Sequence, residues 1–261
     1  MQKYISKFSL PQILDIEHSD RQFLALKNAR GKISKPTPTL PSQGGSLIQV
    51  DKELFLFLIL QNALVSYQIA GSGELWRAEF AAKILVDWKI LRSLYVANKS
   101  NIDRWYKFLT SSKYNKRIYN LKIGRLKRFE KFFRWKSSIL KDTSSFLKED
   151  KIMMKEYYHD MEKLLEDISK IMWNSPISKT MVFAVKMFGY GARIVFGKLI
   201  TYPLSIPIPV DSRIRKISKL SKIGKLGKKL TDKEIQKYFQ KLAEKFKIPP
   251  LHLDSLLRVK R

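Results

Sequence analysis

Two residues of this 261-residue chain stand where nucleophilic or acid–base chemistry could use them, Lys179 and Asp211. Lys179 follows "NSPIS" (174–178), a run of helix-start residues, and precedes Val182, Phe183, Val185 and Met187, which read as a buried helix. The lysine therefore falls in a first turn, the end of a helix that carries partial positive charge and disfavours a cation. One account is an exposed lysine with its stem on the protein and its head in water. The other is chemical: a helix N-terminus and partial burial both favour the neutral amine, and a neutral amine is a nucleophile where an ammonium is not. Asp211, in "IPIPVDSR" (206–213), divides in the same way. It is either the N-cap of a helix beginning at Ser212 or a fixed carboxylate at the mouth of a cleft.

The elements that must hold these residues are helical. Residues 1–30 read as one or two short helices, and the Pro-, Gly- and Ser-rich run 31–48 as a loop. The charge-free stretch 54–73 is long enough to span a bilayer. Gln61, Asn62, Ser66 and Gln68 interrupt it, so a buried core helix is the better reading. Residues 74–97 place Leu75, Phe80, Ile84, Trp88, Leu91 and Leu94 at helical spacing. Residues 151–173 read as one acidic, amphipathic helix with Met154, Tyr158, Met161, Leu165 and Ile168 on a stripe, followed by a turn at 174–178. Three prolines within 202–211 exclude helix interior there. Thr231 and Glu234 form a capping box that opens a helix with Ile235, Tyr238, Phe239, Leu242 and Phe246 on one face. Residues 248–261 turn through two prolines into a last short helix. Strand patterns and strand–helix alternation are missing, so the expected fold is all-α in a single domain, 1–261.

Composition narrows the partner. Lys and Arg number 51 against 23 Asp and Glu, a net charge of +28, so a polyanion is the expected partner: nucleic acid first, an anionic membrane surface second. Residues 113–136 carry ten Lys or Arg and one Glu, interleaved with aromatics. Such a run is either a solvated face or a phosphate-tracking surface. On the second reading Lys122, Arg125, Lys127 and Arg128 contact DNA, with Arg213 contributing from the basic run 213–229. There is no cysteine, and the three histidines, His18, His159 and His252, are far apart, so the usual zinc and iron–sulfur sites lack ligands. The N-terminus has no long apolar core and meets acidic residues early, which reads as no signal peptide and a cytoplasmic protein.

The order of these features resembles the helix-hairpin-helix DNA glycosylases that use a Lys/Asp pair, and more closely the archaeal 8-oxoguanine DNA glycosylase family (AGOG). The resemblance rests on "SDRQFLALKN" (19–28), "LQNALVSYQIAGSGELW" (60–76), "KTMVFAVKM" (179–187), "IPIPVDSR" (206–213) and "IPPLHLDSLL" (248–257). It implies two helical lobes around a central cleft, with the helix-hairpin-helix near 151–194. It implies a bifunctional N-glycosylase/AP lyase that flips an oxidised purine, 8-oxoguanine foremost, out of duplex DNA and needs no cofactor. By the same resemblance Lys179 is the nucleophile and Schiff-base former and Asp211 its carboxylate partner, while Gln22, Trp76, Phe183 and Asp254 line the base pocket. The chain also departs from the pattern. Arg258 stands where the family has a base-contacting tryptophan, and the turn 173–178 contains no glycine. A guanidinium plane can also stack on a base. From the residues alone, a non-catalytic basic protein that coats DNA remains the alternative; a peripheral membrane protein has little support.

Overall fold

A computed structural model describes residues 1–33, 46–65, 131, 153–220 and 230–259. Within them every regular element is a helix. In chain order these are α1 (Gln2–Ile5), α2 (Leu10–His18), α3 (Arg21–Ile33), α4 (Ser46–Val65), α5 (Met153–His159), α6 (Met161–Met172), α7 (Lys179–Phe196), α8 (Ser212–Leu220), α9 (Asp232–Phe246) and α10 (Pro250–Val259). The helices expected over 74–97 and 113–136 lie outside the described residues, apart from Lys131, which is helical.

Three expectations about elements need correction. The N-terminal segment holds three helices. Ser9 and Gln12 form a capping box that opens α2, and Asp20 caps α3 by accepting the Gln22 N–H at 2.8 Å. The two ends of the loop expected at 31–48 are helical, because α3 runs on through Gly31 to Ile33 and α4 begins at Ser46; the residues between lie outside the described ones. A Cβ on Gly31 would meet nothing, so this glycine sits in an open helix position and costs only its propensity, about 1 kcal/mol against alanine. The single helix expected over 151–173 is two. Asp160 leaves helical geometry (φ −129°, ψ 76°) and accepts the Lys163 N–H at 2.9 Å, capping α6. The apolar stripe survives the break, since Met154, Tyr158, Met161, Leu165 and Ile168 are all buried.

α7 is the central element. It packs against α4 most extensively, then against α3, α6 and α5. Residues 181–193 of it are almost wholly buried. Two of its glycines permit that approach. A Cβ on Gly189 would run into the Tyr202 ring, and one on Gly191 into Ile59 of α4. The Tyr202 ring cannot easily yield, because its hydroxyl donates to the Lys186 carbonyl at 2.8 Å. Gly197, at φ 64°, ends the helix in the left-handed conformation. The core falls into two apolar clusters. One joins α3, α4, α5, α6 and α7; the other joins α1, α2, residues 208–214, α9 and α10. The stretch expected as a buried helix rather than a membrane span bears this out, since Phe55 to Leu60 of α4 are all buried in the first cluster. Among the described residues no helix is long and apolar enough to cross a membrane.

Candidate active site

Lys179 is the first residue of α7, and its side chain is exposed. The terminal position expected of it is there; the partial burial is not. From Lys179 the face of α7 continues through Phe183 to Lys186, a spacing of four and then three residues, which stacks the three side chains along one side of the helix. Seven residues correspond to about 10 Å of helix axis. Phe183 is partly buried and packs against the first core cluster.

At the inner end of this face lies a buried ionic cluster. Lys186 is fully buried and donates to Asp254 Oδ2 at 2.6 Å. The same oxygen accepts from Arg258 Nη2 at 3.1 Å, and Oδ1 accepts from Arg213 Nη2. Asp254 is therefore no helix cap, and both of its carboxylate oxygens are occupied. Burial pushes its carboxyl upward, but Lys186, Arg258 and Arg213 outweigh that and hold it well below the usual carboxylate range. Arg258 Nε also lies 3.8 Å from Asp20 Oδ2, and that oxygen accepts from the Tyr190 hydroxyl at 3.1 Å. Arg213 Nη2 lies 3.6 Å from Asp211 Oδ2. Three cations and three carboxylates thus offset one another, which burial at this depth requires.

Gln22 belongs to the same neighbourhood, because its N–H is the group that Asp20 caps. It is only 6% exposed, yet its side-chain Oε1 has no hydrogen-bond partner. A buried acceptor without a partner costs stability in the protein alone, which fits an atom held for a ligand.

Asp211 caps α8 as expected, accepting the Ile214 N–H at 2.8 Å with Oδ1. Its segment is tied to the Lys179 turn by a residue that the sequence did not single out. Gln236 of α9 is buried, and its Nε2 donates to the Ile177 carbonyl at 2.8 Å and the Ile208 carbonyl at 3.2 Å. One amide thereby fixes the backbone two residues before Lys179 against the backbone three residues before Asp211. Its only trace in the sequence is a glutamine beside Ile235 on the face that carries Phe239, and such a position reads equally well as exposed.

The structure thus draws Lys179, Phe183, Asp254, Arg258, Gln22, Asp211 and Arg213 into one region. Trp76, Lys122, Arg125, Lys127 and Arg128 lie outside the described residues. Arg213, expected on the DNA surface, directs its guanidinium to Asp254 and Asp211. Among the described residues no group of three or more His, Asp or Glu could hold a metal ion. A cavity of about 420 Å³ lined by Lys52, Lys155, Tyr158, His159, Phe196, Lys198 and Ile200 lies at the C-terminal end of α7, at the far end of the helix from Lys179, and takes no part in this arrangement.

The described helices thus present an exposed lysine at the head of a buried helix, with a capping aspartate tied to the same turn through Gln236, and comparison with known proteins gives the class as DNA glycosylase/lyase. The family model described as AGOG: N-glycosylase/DNA lyase matches residues 2–259. An N-glycosylase/DNA lyase of Methanococcus maripaludis is 37% identical over 242 residues, which cover 92% of this chain and 78% of the relative. One of Thermococcus kodakarensis is 33% identical over 241 residues, covering 92% and 74%. The crystal structure of 8-oxoguanine DNA glycosylase from Pyrobaculum aerophilum, complexed with 8-oxoguanosine, superposes with a TM-score of 0.68 at 21% identity, covering 99% of this chain and 84% of that one. The chain belongs to the AGOG family of N-glycosylase/DNA lyases, and its fold is the family's.

Proposed function

We propose that this chain excises 8-oxoguanine from duplex DNA in base excision repair, with Lys179 as the nucleophile. The observation that carries the assignment of residues is the α7 face. It sets an exposed lysine at the helix N-terminus, an aromatic side chain one turn on, and a polar cluster with an unpaired buried acceptor at its inner end. A flipped purine nucleoside fits that order, with the sugar at Lys179 and the base toward Phe183 and the cluster. Phe183, with Trp76, supplies stacking. Gln22 and Arg258 supply polar contacts, and Asp254 holds Arg258 and Lys186 in place beneath them.

The reaction then proceeds through the lysine. The neutral Lys179 amine attacks C1′, the C1′–N9 bond breaks, and the base leaves with the electron pair and with the proton that the amine gives up, relayed by Asp211. Asp211 accepts the proton from the attacking amine and offsets positive charge on the sugar. Opening of the sugar ring gives a Schiff base between Nζ and C1′. Loss of a C2′ proton then breaks the C3′–O bond by β-elimination and cleaves the strand. Every group in this sequence comes from the chain and the DNA. The basic segment with Lys122, Arg125, Lys127 and Arg128 tracks the phosphates, Arg213 adds charge beside Asp211, and the protein acts as a cytoplasmic monomer. The test is borohydride reduction during reaction with an 8-oxoguanine duplex. A covalent protein–DNA adduct is the expected result, and strand cleavage with no trapped adduct would overturn the lysine mechanism.

A further inference from the structure

Trp173 occupies a position that neither packing nor backbone conformation selects for tryptophan. It is the C-cap of α6, in the left-handed conformation at φ 48°, ψ 50°, with its N–H bonded to the Lys170 and Ser169 carbonyls. Glycine is the usual residue there and asparagine the next, since a bulky side chain is strained at positive φ. The following residue is Asn174, so a better-suited side chain sits one place away. The indole gains nothing from burial either. It is 85% exposed, while the other exposed large apolar side chains described, Leu24, Ile177, Leu199 and Leu204, lie between 40% and 44%. The Lys131 ammonium of the basic segment sits 3.8 Å from the ring centroid. Six residues further along the chain, past Ile177, stands Lys179.

We propose that Trp173 is a DNA-stacking residue, whose indole packs on a base left exposed when the target nucleotide leaves the duplex. The proposal rests on the glycosylase reading of Lys179. Extrusion breaks stacking on both sides of the target, and an aromatic face restores stacking for any base. The partner is specified by charge: a chain of +28, with a lysine of its most basic segment against this ring, meets a polyanion here.

The test compares Trp173→Ala, Trp173→Phe and Trp173→Gly with the wild type on a duplex carrying a tetrahydrofuran abasic analogue, and in single-turnover excision of 8-oxoguanine. Trp173→Ala should weaken binding about ten- to a hundred-fold, with the slope of log K against log salt unchanged because no phosphate contact is lost. Trp173→Phe should recover most of that affinity. Trp173→Gly should bind as weakly as Trp173→Ala while melting at or above the wild-type temperature, the opposite of what a structural role requires. Affinity within about twofold of wild type for Trp173→Ala, or an affinity loss explained wholly by a reduced salt slope, would overturn the proposal. So would a lowered melting temperature for Trp173→Gly, or a change of oligomeric state with unchanged DNA affinity. Should the wild type bind this duplex through Trp173 yet release no 8-oxoguanine, the substrate assignment fails and the stacking contact stands.

Discussion

At the level of single residues, two lysines seven positions apart on one helix face have opposite environments. Lys186 is sealed against Asp254, and Lys179 is open to solvent. Lys179→Gln should therefore abolish strand cleavage and borohydride trapping while moving stability by no more than about 0.5 kcal/mol. Lys186→Gln should lower the melting temperature clearly, because it removes a donor from a buried carboxylate. Asp254→Asn, which leaves three cations around a neutral group, should cost about 3–5 kcal/mol, read by denaturant unfolding. Asp211 separates its two roles on one substitution. Asparagine caps a helix about as well as aspartate, so Asp211→Asn should keep its thermal stability yet lose excision by orders of magnitude in single-turnover assays. Near wild-type excision would leave only the cap.

The sequence made Lys179 and Asp211 legible because each breaks or fills a local rule, a cation at a helix start and an acid before a helix. The partners of Asp254 were not legible. Lys186 and Asp254 are 68 residues apart, and an apolar helix that carries one lysine does not announce where its counter-ion lies.

At the level of elements, what brings the two segments together is a side-chain amide. Gln236→Leu removes both donors that join Ile177 and Ile208 and leaves two carbonyls without that partner. It should cost about 1–3 kcal/mol of stability and lower the single-turnover rate more than it weakens duplex binding, because it loosens the placement of Lys179 against Asp211 rather than the DNA surface. Gly189→Ala should destabilise by about 1–3 kcal/mol, since the Tyr202 ring has to move. Helix propensity alone predicts a gain of up to about 1 kcal/mol from the same change, so the sign measured by thermal melting decides between them. Helix faces were readable from the 3.6-residue period, as the stripe from Met154 to Ile168 shows. Helix ends were read less well. Asp160 interrupts a continuous amphipathic run, and its capping role becomes visible only through the bond to Lys163.

At the level of the whole molecule, residues far apart in sequence meet in a second buried network around α2, α7 and α10. Glu17 accepts from Arg193 at 2.5 Å and pairs with His252 Nδ1 at 2.9 Å, while the Tyr202 N–H donates to His252 Nε2 at 3.4 Å. These partners assign His252 as the neutral Nδ1–H tautomer. Burial pulls its imidazole below the usual 6.5, against the opposing pull of Glu17. Burial pushes Glu17 up, but the His252 hydrogen bond and the charges of Arg193 and Lys186 draw it down to about 2.

Both groups bind protons more weakly folded than unfolded, so stability falls as pH falls. The loss through His252 begins below 6.5, and that through Glu17 below 4.5. Melting temperature should therefore decline from about pH 7 to pH 5 in the wild type, and His252→Gln should flatten that decline while lowering its plateau. A decline of equal steepness in the variant would assign it elsewhere. The net charge of +28, by contrast, was legible from composition.

The central claim is that a lysine at the head of α7 carries the chemistry, and one measurement addresses it directly. The wild-type enzyme is reduced with borohydride during reaction with an 8-oxoguanine duplex, the adduct is digested, and the modified peptide is sequenced by mass spectrometry. A deoxyribose remnant on Lys179 is the predicted result; a remnant on Lys186 or on any other lysine would contradict it.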